Sequence, residues 1–479
     1  MTDAAPTLER AVAQFVTRYS WNDIDPATLA AAKALIKDQF AIQIGASQLP
    51  WSKMTREFRD PRPGKARIVG ETTRAGAVDA AYLNATFGHG FEYDDFLGNA
   101  HPGCCVVPTA FAIGEEVGAS LHETIVAMVV GYETYVRIGA LASPAILNVG
   151  WQPHAVFANF GAAAIAAKLY GLDEDKTFHA LAIALSHASG TTEYASTGGS
   201  IKRVHAGIAV RNGIEAAQLA RAGVTGPRRF LSGDRGLYRM FAHADVTEQA
   251  RDGFLPGAPN MLPGLSFKPY CCCALTFCYI EAMEHFRDRA GEIDSVVARI
   301  QTMTNSVVGT RNAQLYNPRN IEELQYSLPT QMALSALGKG NGYATHRAFL
   351  EGRLDLSPDS EVMQFARRIT LEIATDLDEK YEFFVSDVTV HFKDGTAAHY
   401  FQERAKGSPV KPFTEAEFQD KLDELTGEVI GRDQAARLFE LVDTLDPASE
   451  VADLTVLLQP GAGSPASHSP HSLSEAPVS

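Results

Sequence analysis

The first half of the chain carries apolar residues at helical spacing, in segments that are mostly bounded by Gly, Pro or Asn. One helix is predicted to begin at Asp25-Pro26, because aspartate is a good N-cap and proline suits the first turn, and to continue to residue 42. Further helices are predicted at 109–117, 122–141, 157–170, 175–189 and 207–222. Small residues are dense within these segments, and small side chains allow two helices to approach closely. The pattern therefore indicates a large, tightly packed helical domain.

After about residue 265 the spacing changes to the alternation that is typical of half-buried strands. The predicted elements of this part are strands at 295–303, 368–373, 388–392 and 396–401, and helices at 276–289 and 357–367. The last two strands are expected to form a hairpin, because Asp394-Gly395 favours a type I′ turn. Helical spacing returns at 414–441. We therefore predict a mainly α protein with a smaller α+β domain.

The changes between helical and strand spacing predict the domain boundaries. Residues 1–265 are predicted to form the first part of a large helical domain, and residues 266–404 a smaller α+β domain. Residues 405–455 are predicted to return to the large domain as helices. Residues 456–479 are predicted to form a disordered tail, because the stretch from Pro460 consists largely of Ser, Pro, Gly and His and offers almost no core-forming residues.

Composition narrows the classes of partner. The 479 residues include 42 Lys and Arg against 57 Asp and Glu, which gives a formal net charge of −15. A surface that binds nucleic acid needs an excess of cations, so we expect no nucleic-acid partner. No uncharged apolar run reaches the roughly 18 residues of a membrane span, and residues 1–10 lack the apolar core of a secretory signal. The sequence thus predicts a soluble, cytoplasmic protein without a membrane partner.

The six cysteines fall in unspaced groups, at 104–105, at 271–273 and at 278. Adjacent cysteines do not form an unstrained disulfide, and no Cys-x-x-Cys pair is present to bind zinc. We therefore predict reduced, buried thiols that pack as small hydrophobic side chains, and no metal site.

The densest group of chemically active side chains lies between His89 and His101. This segment contains Glu92, Asp94 and Asp95, and nearby glycines leave the backbone free to turn. The side chains could therefore converge on one point and exchange protons there. The alternative is an acidic surface loop with a capping aspartate and a buried histidine.

Three later segments add a histidine and two cations. His154 follows Trp151-Gln152-Pro153 just before a predicted helix, and Lys202 lies in a Gly- and Ser-rich turn whose backbone amides suit an anion. Lys268 lies at the predicted domain junction, where clefts are common. The alternatives are a capping or core histidine, a solvated turn and a solvated junction lysine.

Several common catalytic motifs are missing from the sequence. No Gly-x-Gly-x-x-Gly follows a predicted strand, and neither Gly-x-Ser-x-Gly nor His-Glu-x-x-His occurs. Dinucleotide binding, the commonest form of serine hydrolysis and zinc proteolysis therefore have no support. The remaining histidines, lysines and carboxylates suit proton transfer on a small anionic substrate.

In chain order, these residues belong to a series of motifs that resembles the MmgE/PrpD family over residues 8–450. The motifs are Glu92-Tyr93-Asp94-Asp95 with His101-Pro102, Pro108-Thr109-Ala110, Gly131-Tyr132-Glu133, Gly150-Trp151-Gln152-Pro153-His154, Lys202, His205-Ala206-Gly207, Gly223-Val224-Thr225-Gly226-Pro227 and Lys268-Pro269-Tyr270. The family includes 2-methylcitrate dehydratases, cis-aconitate decarboxylases and iminodisuccinate epimerases. The resemblance implies a large helical domain and a smaller α+β lid domain with the active site between them, in a homodimer without a metal or an organic cofactor.

The resemblance also implies the site residues. The decarboxylase pattern places its active-site histidines at His101 and His154 and its lysines at Lys202 and Lys268. Three positions depart from that pattern, because Glu92 replaces an aspartate, Phe96 replaces a threonine and Thr330 replaces a tyrosine. The loss of two hydroxyl groups and the added apolar bulk argue against cis-aconitate itself as the substrate. The predicted catalytic residues are His101, His154, Asp94, Lys202 and Lys268, and the predicted substrate-binding residues are Glu92, Asp95, Phe96, Lys202, Lys268 and Thr330.

Residues and resemblance together predict a cofactor-independent lyase that acts on a small di- or tricarboxylate. The expected reaction is the dehydration of a hydroxy-acid, as in a 2-methylcitrate dehydratase, with His101 as acid or base and His154 or Asp94 as its partner. Lys202 and Lys268 would bind substrate carboxylates and stabilise an enediolate-like carbanion. Because the net charge is −15, a locally basic cleft is also required. Decarboxylation and epimerisation share that carbanion and remain alternatives, as does a catalytically silent binding protein.

Overall fold

The computed structural model describes residues 6–246, 249–382, 384–446 and 449–461. The chain divides into two compact units, one formed by Met1–Lys268 with Lys406–Gln459 and the other containing Pro269–Ala405. The first unit is almost wholly helical, and the second combines helices with a four-stranded sheet. The predicted fold class, mainly helical with a smaller α/β part, is therefore confirmed.

The N-terminal part of the first unit consists of helices and one short antiparallel ribbon. The helices are α1 Leu8–Arg18, α2 Pro26–Ala46, α3 Pro50–Arg59, α4 Ala77–His89, α5 Gly103–Val117, α6 Leu121–Ala142, α7 Ala145–Val149, α8 Pro153–Leu169, α9 Glu174–His187, α10 Tyr194–Thr197, α11 His205–Arg221, α12 Leu237–Ala242 and α13 Gln249–Asp252. The ribbon pairs β1 Ala66–Arg67 with β2 Arg74–Ala75, and 3-10 helices include Trp21–Asp23, Ser200–Val204 and Leu262–Gly264.

Helix starts show where local sequence signals sufficed and where they did not. The side chain of Asp25 accepts hydrogen bonds from the backbone of α2, as the sequence predicts. By contrast, α5 begins at Gly103 instead of 109, with Pro108 inside the helix, and α8 begins at Pro153 instead of 157. Pro108 removes only one backbone donor, so the helix continues through it. Both corrections extend a helix N-terminus into the segments that carry His101 and His154.

The core of the first unit is built by helices that approach closely at small residues. Helix α8 packs against both α6 and α11. Helix α6 is long and apolar enough to cross a membrane, but 89% of its apolar window is buried within the protein, as expected of a core helix. A Cβ atom added at Gly131 of α6 would lie 2.4 Å from the Ile165 side chain of α8. These close crossings explain the density of small residues.

The crossing of α8 and α11 can be tested at Gly213. A Cβ atom there would lie 2.4 Å from the carbonyl oxygen of Asn159 and 2.8 Å from the backbone nitrogen of Ala163, neither of which can rotate away. We expect Gly213→Ala to lower the free energy of unfolding by about 1–3 kcal/mol, as overpacking of a core does. Urea denaturation measures the loss. Gly264→Ala is the control, because its Cβ would meet only Leu97 Cδ1 at 3.6 Å, and equal stability of the two variants would contradict the prediction.

The second unit is organised around one mixed sheet. Its elements are α14 Phe277–His285, β3 Ile293–Ile300, α15 Thr302–Val308, α16 Ile321–Gln325, α17 Leu328–Ala336, α18 Tyr343–Leu350, α19 Glu361–Ala366, β4 Ile369–Ile373, α20 Thr375–Lys380, β5 Ser386–Phe392 and β6 Ala397–Gln402. The strand order is β4-β3-β5-β6, with β3 and β4 parallel and the other pairs antiparallel. The apolar side chains of β3 and β5 alternate with more exposed ones, so the period seen in the sequence reflects a half-buried sheet.

The hairpin of β5 and β6 forms at the predicted place but with a different turn. Of the three loop residues Lys393, Asp394 and Gly395, only Gly395 has a positive φ, at 84°. The backbone amide of Gly395 donates to the Phe392 carbonyl at 3.0 Å. This pattern is a three-residue loop with glycine in the left-handed position, whereas type I′ needs two residues with positive φ.

The C-terminal segment of the first unit returns as helices, but not as one continuous element. Helix α21 spans Glu415–Thr426, α22 spans Arg432–Thr444 and α23 spans Val451–Thr455. The break after α21 coincides with Gly427 and with Gly431, whose φ is 81°. Residues 456–459, placed in the disordered tail from the sequence, include a 3-10 helix in which Leu458 is buried. The predicted disorder of residues 462–479 lies outside the described residues.

Candidate active site

One loop of the first unit carries most of the site, and the C-terminal helices hold it in place. The loop of residues 90–102 joins α4 to α5, and Glu92 within it has a left-handed backbone with φ of 59°. A residue other than glycine keeps such a conformation only where its surroundings enforce it. Lys421 of α21 donates a hydrogen bond from Nζ to the Tyr93 carbonyl at 3.0 Å and lies 2.6 Å from a carboxylate oxygen of buried Asp38. The returning chain thus anchors the loop.

Asp94 is the centre of the site and is fully buried. Its Oδ2 lies 2.7 Å from His89 Nδ1 and 3.6 Å from His101 Nδ1, and its Oδ1 lies 3.7 Å from Lys268 Nζ. Burial raises the pKa of Asp94, but its interactions with the two histidines and with Lys268 outweigh burial and hold the pKa well below its usual range. Asp94 is therefore an anion that gathers three basic side chains.

Glu92 joins the two lysines that were predicted to bind substrate. Its carboxylate pairs with Lys202, and its Oε2 lies 3.0 Å from Lys268 Nζ. The charges of Glu92, Asp94, Lys202 and Lys268 sum to zero, which differs from the locally basic cleft expected from the sequence. Unpaired buried charges are strongly disfavoured, so lysines in this position need anionic partners.

His101 lies at the edge of the site, with 19% of its side chain exposed. Its Nδ1 is 3.0 Å from the carbonyl oxygen of Asp95. Because a carbonyl only accepts, we assign the proton to Nδ1, which leaves Nε2 of the neutral ring as an acceptor. Burial lowers the pKa of His101 to about 4, against the opposing charge of Asp94. His101 is thus neutral at pH 7.

His154 occupies the first turn of α8 and is fully buried. Its Nδ1 lies 3.0 Å from the hydroxyl of Tyr135, and its Nε2 lies 3.4 Å from Cys105 Sγ and 3.8 Å from Cys104 Sγ. Burial lowers the pKa of His154, but the neighbouring Cys105 outweighs it and raises the pKa. Burial raises the pKa of Cys105, but Cys104 and His154 outweigh it and lower the pKa to about 6. The imidazole and the Cys105 thiol therefore compete for one proton.

The structure brings together the distant segments that the sequence singled out. The rings of His101 and His154 are 6.2 Å apart between centroids, and the charge of Lys202 is close enough to lower the pKa of His89. The acidic surface loop and the solvated lysines, kept as alternatives from the sequence, are wrong, because these side chains are buried. The predicted residues in this cluster are Asp94, His101, His154, Lys202, Lys268 and Glu92.

Three residues predicted to bind substrate have other contacts. Asp95 Oδ2 accepts from the backbone nitrogen of Gly103 at 3.3 Å, so its carboxyl group holds the start of α5. Burial, with Asp94 nearby, raises the pKa of Asp95 well above its usual range. Phe96 is half-buried and pairs through its backbone with Ser266 at 2.9 Å. Thr330 belongs to the second unit, and its substrate-binding role stays a prediction like those of Asp95 and Phe96.

The Thr330 hydroxyl has a local partner in the second unit. It accepts a hydrogen bond from Ser327 Oγ at 2.7 Å, and Ser327 also accepts from the Thr330 backbone nitrogen at 3.2 Å. The bond from the Thr330 backbone nitrogen caps the N-terminus of α17. From the sequence, Thr330 was predicted to bind substrate at a position where the family pattern has a tyrosine, and this capping contact was not anticipated.

Sequence reasoning missed several side chains that complete the cluster. Tyr135 lies within apolar α6, where nothing distinguishes it from a core tyrosine. Cys104 and Cys105 follow His101-Pro102-Gly103. Because the sequence predicted a helix start at 109, it did not show that the two cysteines share one helical turn next to His154. All six cysteines are thiols and not disulfides, and most are buried, as predicted. Two of them contact a candidate catalytic histidine as well as packing in the core.

Comparison with known proteins supports the family seen in the motifs. Residues 10–249 match the MmgE/PrpD N-terminal domain, and residues 270–447 match the MmgE/PrpD C-terminal domain. The chain is 28% identical over 476 residues to the cis-aconitate decarboxylase of Aspergillus terreus, with 93% of this chain and 95% of that protein covered. It is 27% identical over 488 residues to the cis-aconitate decarboxylase-like protein oryM of Aspergillus oryzae, with 96% and 99% covered.

A human relative extends the comparison. The chain is 25% identical over 418 residues to the cis-aconitate decarboxylase of Homo sapiens, with 82% of this chain and 81% of that protein covered. Decarboxylases are lyases, so these relatives support a lyase activity for this chain. The two domain matches cover most of the sequence, and the resemblance inferred from the motifs is confirmed: the chain belongs to the MmgE/PrpD family.

Proposed function

We propose that this chain decarboxylates an unsaturated tricarboxylate of the cis-aconitate type. The relatives named as cis-aconitate decarboxylases favour this reaction over the dehydration predicted from the sequence. The observation that carries the proposal is the convergence of His101, His154, Lys202 and Lys268 around two buried carboxylates. Such a cluster offers cations to a polyanion and a histidine to exchange a proton.

Substrate binding begins at the exposed edge of this cluster. The side chains of His101 and Lys202 are 19% and 6% exposed, whereas that of Lys268 is fully enclosed. We assign to Lys202 the contact with a substrate carboxylate, which takes the place of Glu92 on the ammonium group. Charge-assisted hydrogen bonds are about twice as strong as neutral ones, so this exchange keeps a strong bond in place. Lys268 acts as a positioning residue for the two buried carboxylates.

The reaction is an allylic decarboxylation. The bond to one carboxylate breaks and releases CO₂, and its electron pair forms a new double bond to the adjacent carbon. The electron pair of the original double bond moves to the carbon next to a second carboxylate, which carries the charge as an enediolate. That carbon then takes up one proton. The ammonium group of Lys202 stabilises the enediolate if it binds this second carboxylate.

His101 supplies the proton. Its pKa of about 4 makes it neutral in the unliganded protein. A bound trianion raises that pKa, because an opposite charge favours the protonated ring. Since the four charges of Glu92, Asp94, Lys202 and Lys268 already cancel, the substrate brings uncompensated negative charge with it. Uptake of a proton by His101 offsets part of that charge and places an acid beside the carbanion.

Other features of the proposal come from the family resemblance. We propose a cytoplasmic homodimer whose partner is a small anionic carboxylate, with catalysis by side chains and without an organic cofactor. The change from threonine to Phe96 favours a substrate with an apolar substituent over cis-aconitate itself. Each of these points can be tested separately from the reaction type.

Proton NMR in D₂O with a panel of acids tests the reaction. The panel contains cis-aconitate, 2-methyl-cis-aconitate, 2-methylcitrate and iminodisuccinate. We expect CO₂ release from an unsaturated tricarboxylate, with one deuterium added at the carbon next to a retained carboxylate. Loss of water from 2-methylcitrate without CO₂ would assign a dehydratase instead. Deuterium exchange without net change would assign an epimerase, and inertness toward the whole panel would favour a binding protein.

A further inference from the structure

We propose that His89, Cys104 and His154 form a binding site for a thiophilic divalent cation such as Zn²⁺. The ligand atoms of these three residues lie within 4.8 Å of one another, and all three residues are buried. The proposal runs against the expectation from the sequence, which predicts no metal site because the cysteines lack zinc-binding spacing. The three ligands lie on three different helices, so no local sequence motif identifies them as a metal site.

The distances suit a tetrahedral ion after a small adjustment. Zinc binds nitrogen at about 2.0–2.1 Å and sulfur at about 2.3 Å, which places a nitrogen and a sulfur ligand about 3.5 Å apart. His154 Nε2 and Cys104 Sγ are 3.8 Å apart. The rings of His89 and His154 are stacked with centroids 4.4 Å apart and planes at 20°. Binding therefore tilts one ring toward the shared point.

An unsatisfied nitrogen points independently to a ligand. His89 is fully enclosed, and its Nε2 has no hydrogen-bond partner among the described residues. Its other nitrogen, Nδ1, lies 2.7 Å from Asp94 Oδ2. This arrangement of a carboxylate, an imidazole and an open Nε2 is the one that orients metal-binding histidines. A buried polar atom without a partner is costly, and a coordinated ion would satisfy it.

The other ligands are oriented as well. His154 Nδ1 is bonded to the Tyr135 hydroxyl at 3.0 Å, which directs Nε2 toward the thiols. Cys104 Sγ lies 3.2 Å from the carbonyl oxygen of His101, to which it donates in the unliganded protein. Coordination replaces that bond and releases the thiol proton, because the metal ligand is the thiolate. Two imidazoles and one thiolate are ligands that Zn²⁺ prefers to the oxygen-binding cations Mg²⁺ and Ca²⁺.

The access route fits such a site. The partly exposed ring of His101 lies 5.5 Å from that of His89, between centroids, and marks the side from which an ion could enter. Bound Zn²⁺ would occupy Nε2 of His154 and fix His89 against Asp94.

Zinc binding by the whole purified chain tests the site. The chain, freed of metal by dialysis against a chelator, is titrated with ZnCl₂ in competition with a chromophoric chelator and separately with CoCl₂. We expect one Zn²⁺ per chain and a cobalt spectrum with a sulfur-to-metal charge-transfer band. Cys104→Ser should weaken binding at least tenfold and abolish that band, and Asp94→Asn should weaken binding by about 10–100-fold, as loss of an orienting carboxylate does.

Matched variants separate this site from other thiols. Cys278→Ser changes a buried cysteine thiol of the second unit and should bind Zn²⁺ as the unchanged chain does. Cys105→Ser tests the thiol that contacts His154 but lies outside the three-ligand group, and it should retain the cobalt charge-transfer band. If the unchanged chain binds no Zn²⁺, or if Cys104→Ser and Cys278→Ser bind it equally, the proposal is overturned. Circular dichroism confirms that each variant is folded.

Discussion

Replacing His101 with glutamine should lower kcat for the unsaturated tricarboxylate by about 10²–10⁴-fold, the usual contribution of a positioned proton donor. The glutamine amide keeps an N–H that can donate to the Asp95 carbonyl, as His101 Nδ1 does at 3.0 Å. It cannot release a proton to the carbanion. Because His101 is partly exposed at the edge of the site, we expect Tm to change little. Steady-state assays of CO₂ release measure kcat and KM together.

The control for this variant is His243→Gln, which changes an exposed histidine of the same unit. It should leave kcat within about twofold, since surface substitutions rarely matter. A kcat for His101→Gln that is also within a few-fold of the unchanged chain would remove His101 from the reaction. The acid would then have to be His154, which the Tyr135 hydroxyl and the two thiols surround.

The pH dependence of kcat/KM distinguishes proton donation by His101 from proton abstraction. This ratio reports the pKa of the free protein, which burial lowers to about 4 for His101. With a proton donor, the productive complex holds one proton more than the neutral free protein, whether that proton binds before or after the substrate. The ratio kcat/KM should therefore fall by about tenfold for each unit of pH above that value. A base must be neutral, so kcat/KM would rise to a plateau there and stay flat. A flat profile at neutral pH would favour dehydration, and His101→Gln should lose the dependence.

Spacing along the chain was enough to predict most helices, because burial of one face imposes a helical period on the apolar residues. The misplaced starts have local causes. The predicted boundary of α5 stopped at Pro108, whose missing N–H is tolerated inside the helix, and α8 was started too late although Pro153 is a good first residue. The hairpin was found from Asp394-Gly395, but its turn type depends on the backbone angles of both residues, which the pair of letters does not determine.

The site shows a sharper limit of sequence reasoning. Lys202 and Lys268 were singled out by motif order, but their shared contact with Glu92 joins segments more than a hundred residues apart. The spacing of residues within a motif does not reveal a contact between segments that lie so far apart in the sequence. Lys421 was not noticed at all, since a lysine in an amphipathic helix is usually solvated. Only the packing of α21 against α2 shows that this ammonium group supports the backbone of the loop of residues 90–102.

The largest effect on stability is expected for Lys268→Met. Lys268 is fully buried, with Nζ 3.0 Å from Glu92 Oε2 and 3.7 Å from Asp94 Oδ1. Removing one member of a buried ionic group leaves its partners uncompensated, which costs about 3–5 kcal/mol. Lys202 still balances Glu92, and the two histidines still contact Asp94, so we expect the lower part of that range. Urea unfolding at pH 7, followed by circular dichroism, measures the change.

The cause of that loss can be isolated by pH and by a second substitution. The lowered pKa of Asp94 means that its contribution to stability is present above the ordinary carboxyl value of 3.8 and is lost as the pH falls below it. The difference in the free energy of unfolding between Lys268→Met and the unchanged chain should therefore shrink in acid.

A second substitution tests the same cause. The double variant with Glu92→Gln should recover part of the stability, because it removes one uncompensated charge. Lys37→Met, which breaks an exposed pair with Asp443, should cost less than about 1 kcal/mol. If Lys268→Met costs no more than Lys37→Met, the cluster is not held together by its buried charges.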